Sequence, residues 1–173
     1  MTTRGKREGE VDGEDYNFVT KEEFLSMVEA GKFLEYAEVF GNYYGTPKDA
    51  VESFLSNGED VLFEIEWKGH RQVTAMARDD VASVFILPPS MDELIRRLRV
   101  RNKDSEEVVR HRMEEANLDI SHWHEYDYTI INKNIDETLD KLLWILRAER
   151  LKKNRRLGLS AFVGQLMHQT LDI

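Results

Sequence analysis

There is no cysteine among the 173 residues, so no disulfide or thiolate can organise this chain and nothing in it exploits an oxidising compartment. Proline is scarce, with three, and no apolar run approaches the roughly 18 residues that a membrane-spanning helix requires. The N-terminus carries charge with no apolar stretch behind it, which argues against a secretory signal and leaves the cytoplasm as the expected location. Basic charge is also in deficit: 24 Lys and Arg stand against 33 Asp and Glu, for a net charge of -9. That sign opposes nonspecific association with nucleic acid or an anionic membrane, and neither is expected as a partner. There is no internal repeat, and a composition of 41% hydrophobic and 33% charged residues describes one globular domain with room for a small lobe.

Against an acidic background, any anion site must be local. Basic residues gather at the start, at 96–112 and at 147–156. The opening stretch TTRGKREGEVDGEDY (2–16) sets Arg4 and Arg7 among Gly5, Gly9 and Gly13, so they project from an extended or turning segment rather than a helix face. Guanidinium groups grip phosphate oxygens in a planar, bidentate fork. The bland alternative is a solvated basic terminus, the usual meaning of two isolated arginines.

Thr20 with Glu23 forms a capping box and Gly31 supplies a stop, predicting a helix over 21–30. FLEYAEVF (33–40), the turn Gly41-Asn42 and the residues Tyr43-Tyr44-Gly45 predict strand, turn, strand. Thr46 is positioned to cap a second helix with Pro47 at its first position. Three short apolar runs separated by helical patterns, VLFEIEW (61–67), ASVFILPP (82–89) and YDYTIIN (126–132), predict a parallel sheet and an α/β fold. Ligands collect at the carboxyl ends of such strands, which puts Glu66, Pro88 and Asn132 on the functional edge. Ser90 with Glu93 predicts a helix from 91 to about 101; Asp104 or Ser105 caps another through about 120; Asn134 precedes one over 135–150; and a short helix is expected within 157–171. Arg112 falls within the apolar stripe of Val108, Val109, Met113 and Ala116, and an inward arginine needs a partner, either a structural carboxylate or a ligand anion. Asp119, His122, His124, Glu125 and Asp127 are read as solvated or interfacial rather than as a metal site, because two histidines two apart diverge on a helix.

Taken together, TTRGKREGEVDGEDYNF (2–18), FLEYAEVFGNYYGTP (33–47), VLFEIEWKG (61–69), RVRNKDSEEVVRHRMEEA (99–116) and HEYDYTIIN (124–132) resemble the guanylate kinase family, most closely its bacterial members. The resemblance covers most of the chain. It implies a P-loop-kinase-like parallel sheet flanked by helices, a small mixed GMP-binding lobe at 1–59, a core at 60–95 and 114–150, a helical lid at 96–113 and a C-terminal tail at 151–173. It implies that Arg4 and Arg7 bind the GMP phosphate, Arg7 also serving catalysis, with Tyr16 and Tyr44 as hydroxyl donors. Glu35 is implied to accept from guanine N1 and N2 with help from Thr46, and Thr3, Asn42, Gly45, Glu64 and Glu66 to complete the substrate pocket. Arg101 and Arg112 correspond to lid arginines that close over ATP, and Asn132 to the adenine-side asparagine; ATP and Mg²⁺ are the implied cofactors.

The family pattern also begins with a strand and a GxxxxGK[ST] loop, and residues 1–173 contain no such loop. The expectation is therefore a chain that starts after that first strand and P-loop, with impaired phosphoryl transfer. The alternative is a non-enzymatic GMP-binding or phospho-ligand interaction module of guanylate-kinase-like type. Glu64 and Glu66 stand where the family usually has aspartates.

Overall fold

Thr20 and Glu23 close the capping box at the head of α1 (Lys21–Glu29): the Glu23 N–H donates to the Thr20 hydroxyl at 3.2 Å, and the Thr20 N–H donates back to the Glu23 carboxylate at 2.9 Å. Gly31, at φ 64°, then reverses the chain. The structure, a computed structural model, describes residues 1–39, 41–102 and 106–169, with the side chains of 100–112 outside that description. It divides into two compact units, Met1–Val81 and Ala82–Ile173.

In the first unit, β1 (Phe33–Val39) and β2 (Asn42–Pro47) form the predicted antiparallel hairpin, with Glu35 opposite Thr46, Ala37 opposite Tyr44 and Val39 opposite Asn42. Its core is aromatic. Phe24 from α1 is fully buried and stacks on Phe33 at 4.4 Å and on Tyr43 at 5.5 Å. Gly45 permits that approach, since a Cβ there would stand 2.9 Å from the Phe33 ring and 3.0 Å from that of Phe24. The opening segment is tied to β2 through Thr2, which is fully buried and donates its hydroxyl to the Tyr43 carbonyl at 3.0 Å.

Two expectations are corrected here. Thr46 does not cap the second helix: α2 (Lys48–Ser56) has Pro47 at its N-cap with no side-chain cap, and the Thr46 hydroxyl is used elsewhere. The run at 61–67 is not a strand. Its first six residues are irregular and Trp67 already begins α3 (Trp67–Ala77). Among the described residues no ladder reaches the run, and Leu62 is 96% exposed, so the backbone pairing that defines a strand is missing despite the β-forming composition. Helix α3 packs on β1. Its Gln72 side chain donates to the Tyr36 carbonyl at 2.8 Å and accepts from the Tyr36 N–H at 3.1 Å, satisfying the strand edge as a neighbouring strand would.

The second unit holds a two-stranded parallel sheet of β3 (Val84–Leu87) and β4 (Tyr128–Ile131), joined through α4 (Met91–Asn102) and α5 (Glu106–Ser121). The predicted capping box at Ser90 is half made: its hydroxyl accepts from the Glu93 N–H, while the Glu93 carboxylate binds Arg96 and Arg97 at 2.7 Å. Asp127 fastens the start of the sheet, accepting from both the N–H and the hydroxyl of Ser83. Helix α6 (Ile135–Leu151) begins behind Asn134, whose side chain accepts from the Asp136 and Glu137 N–H groups, and α7 (Leu159–Met167) lies within the predicted tail helix. No helix among the described residues is long and apolar enough to cross a membrane.

Candidate nucleotide site

Side chains alternate along a strand, so Tyr44 and Thr46 share one face of β2 and their ladder partners Ala37 and Glu35 share the same face of β1. At one end of that face the Thr46 hydroxyl donates to Glu35 Oε1 at 2.6 Å, and Glu35 is only 6% exposed. A carboxylate so buried tolerates its charge only with directed donors, and Thr46 supplies one of them. The remaining acceptor capacity of the carboxylate is what a ligand with adjacent N–H groups would use.

The other end, two residues and about 7 Å along the strand, carries a guanidinium–phenol cluster. Arg4 lies 5.4 Å from the centre of the Tyr16 ring and 5.7 Å from that of Phe18, and the Tyr16 and Tyr44 rings meet edge to face at 6.1 Å. Thr3 pins the approach: its N–H donates to the Tyr43 carbonyl at 3.0 Å and its hydroxyl accepts from the Tyr43 N–H at 2.9 Å.

Sequence reasoning missed Glu10. Its carboxylate takes a bidentate pair from Arg4 at 2.7 and 3.0 Å and a further bond from the Arg7 N–H at 2.8 Å. Those bonds, first from the Arg4 side chain and then from the Arg7 backbone, hold the Glu10 carboxyl down at about 2. Hydrogen bonds from Arg4 to Glu10 and, more weakly, to Tyr44 raise the guanidinium pKa in turn. Arg4 does make a bidentate fork, and its partner is a carboxylate of the same loop. An Arg and a Glu six apart across glycine turns carry no periodic signal, which is why the pair was not legible.

The remaining predicted residues are more scattered. Arg7 and Glu64 are exposed, and Asn42 opens β2 across from Val39. Glu66 stands at the N-cap of α3, its carbonyl accepting from the His70 N–H at 2.9 Å. Asn132 belongs to the second unit, where it leaves β4 beside the end of β3: its N–H donates to the Leu87 carbonyl at 2.8 Å and its side-chain oxygen accepts from Thr138 at 3.1 Å. Arg101 sits in the last turn of α4 and Arg112 within α5, and their side chains lie outside the described residues. No group of three or more His, Asp or Glu that could hold a metal ion occurs among the described residues, and residues 1–173 contain no GxxxxGK[ST] loop.

A buried carboxylate–hydroxyl pair on the hairpin, with a guanidinium–phenol cluster packed at Tyr44, supplies acceptors and cationic donors of the kind a polar, anionic ligand uses. Comparison with known proteins supplies the family. The family model described as guanylate kinase matches residues 1–149. A guanylate kinase of Nitrobacter winogradskyi is 55% identical over 168 residues, which span 97% of this chain and 77% of the relative, and one of Paramagnetospirillum magneticum is 54% identical over 165 residues, 95% and 77%. The crystal structure of guanylate kinase from Anaplasma phagocytophilum superposes with a TM-score of 0.82 at 41% identity, covering 98% of this chain and 83% of that one. The chain belongs to the guanylate kinase family, and its α/β fold is the fold of that family.

Proposed function

We propose that this chain recognises GMP for its ATP-dependent phosphorylation to GDP, with the first unit as the GMP site. The observation that carries the reading is the Glu35–Thr46 pair, held at 2.6 Å on the same hairpin face as Tyr44 and its Arg4 neighbour. Guanine alone among the common bases offers N1–H and N2–H side by side, and a buried carboxylate oriented by one hydroxyl is the complementary acceptor. Adenine presents an acceptor at N1 and would meet the carboxylate with repulsion. Arg4, Arg7, Tyr16 and Tyr44 take the phosphate: the ligand anion competes with Glu10 for the Arg4 fork, and Arg7 adds a second guanidinium. Thr3, Asn42 and Gly45 shape the pocket, and Glu64 and Glu66 line the approach from the irregular segment.

In this reading residues 1–59 form the GMP lobe, 60–95 and 114–150 the core, 96–113 the lid and 151–173 the tail. Arg101 and Arg112 neutralise charge on the transferring phosphoryl group, the task on which such transfer chiefly depends, and Asn132 meets the adenine of ATP. Because residues 1–173 contain no GxxxxGK[ST], transfer by these residues alone is impaired. The second reading is a GMP-binding or phospho-ligand interaction module without catalysis. An assay of ADP formation from ATP and GMP separates the two. Calorimetry tests the site itself: GMP is expected to bind in clear preference to AMP, and Arg7→Ala to weaken GMP by roughly tenfold or more, the value of one lost charged hydrogen bond. Unaltered affinity in that variant would refute the phosphate assignment.

A further inference from the structure

Glycine is a poorer helix residue than alanine, so a buried glycine in the first turn of a helix calls for a reason. Gly69 is buried in α3, and its backbone is not in the left-handed region that glycine favours. Its reason is space. A Cβ at Gly69 would stand 3.0 Å from Glu35 Oε2 and 3.3 Å from the Ile65 Cβ.

Glu35 has little freedom to yield. It is 6% exposed, its other oxygen is held by Thr46 at 2.6 Å, and the backbone of the next residue, Tyr36, is clamped on both N–H and C=O by Gln72. Gln72 lies three residues beyond Gly69 on α3, hence on the same face of the helix. One face of α3 therefore fixes the strand with an amide and receives the carboxylate on bare backbone.

We propose that Gly69 is the positioning residue of the base-reading carboxylate: the missing side chain leaves the seat for Glu35 Oε2, and that seat aims the carboxylate at the N1–H and N2–H edge of guanine. Gly69 touches no ligand and acts through Glu35. The inference rests on the GMP reading above and adds to it the residue that sets base selection.

The test is a double-variant cycle read by calorimetry with GMP and AMP, alongside thermal melts. Gly69→Ala is expected to lower the ratio of GMP to AMP affinity by roughly tenfold or more, because the displaced carboxylate loses aligned bonds to guanine and none to adenine. In the Glu35→Asp background, where the carboxylate retreats by one methylene, adding Gly69→Ala is expected to change that ratio by less than about threefold. A helix position with only a structural role would instead lower both affinities together, or raise the melting temperature through better helix propensity while leaving the ratio intact; either result overturns the proposal. Should Gly69→Ala fail to fold, the double variant decides: melting like Glu35→Asp alone supports the seat, and unfolding assigns Gly69 to packing against Ile65 and overturns it. A parent chain that binds GMP no better than AMP defeats the GMP reading itself, whereas a selective parent with an equally selective Gly69→Ala defeats only this inference.

Discussion

Replacing Glu35 by glutamine changes the charge and one acceptor while keeping the shape, so it isolates base recognition from folding. Thr46 donates to Oε1 at 2.6 Å, and the glutamine carbonyl can take that bond in place of the carboxylate oxygen. Stability is therefore expected to move by no more than about 1 kcal/mol. The second position becomes an NH₂ group, which faces guanine with a donor where it needs an acceptor. A hydrogen bond to a charged group is worth about 1.5–3 kcal/mol, and at about 1.4 kcal/mol per tenfold the loss of one such bond with the new donor–donor conflict weakens GMP by about 100-fold. AMP should hold its affinity or gain, since the amide can donate to adenine N1. Calorimetric titration of parent and Glu35→Gln with both nucleotides measures this. A GMP dissociation constant within threefold of the parent, in a variant with an unchanged melt, would refute the assignment of Glu35 to the base.

Two further outcomes follow from the same unit. Gln72→Ala removes two bonds to the Tyr36 backbone and opens the edge of β1, and a urea melt should show a loss of about 1–2 kcal/mol. Glu10 has its folded carboxyl pKa lowered from 4.5 to about 2 by Arg4 and the Arg7 backbone, so its contribution to the order of the opening loop is present above pH 4.5 and is lost as pH falls toward 2. An NMR titration of the Glu10 carboxyl should give that low midpoint, and Arg4→Gln should bring it back toward the ordinary carboxylate range.

Most of the helices were legible because their signals are local. A Thr with a Glu three residues on, an Asn before an acidic first turn, and Gly41 at φ 75° in the hairpin turn act within a few residues, and α1, α6 and the hairpin formed where those signals stood. The run at 61–67 shows the limit of that reasoning. Its alternation of apolar and acidic residues suits a strand, yet strand formation depends on a partner, and composition does not supply one. Thr46 shows the limit at a single side chain: its place before Pro47 suggests a cap, but a buried carboxylate 11 residues away is the stronger claim on its hydroxyl.

The opening arginines divide along the same line. Sequence alone determined that a glycine-broken segment opening with Arg4, Lys6 and Arg7 precedes an aromatic hairpin, that the chain carries a net charge of -9, and that ordered blocks of residues match one kinase family, because each of these is a property of composition, order and spacing. Only the tertiary structure decided that Arg4 is gripped by Glu10, that Glu35 and Thr46 meet within one face of the hairpin, and that Gly69 lies bare beneath the carboxylate. Those facts arise when a loop closes on itself, a strand takes its register and a helix docks on a strand edge, and the energies that fix them belong to contacts the chain makes only once it has folded.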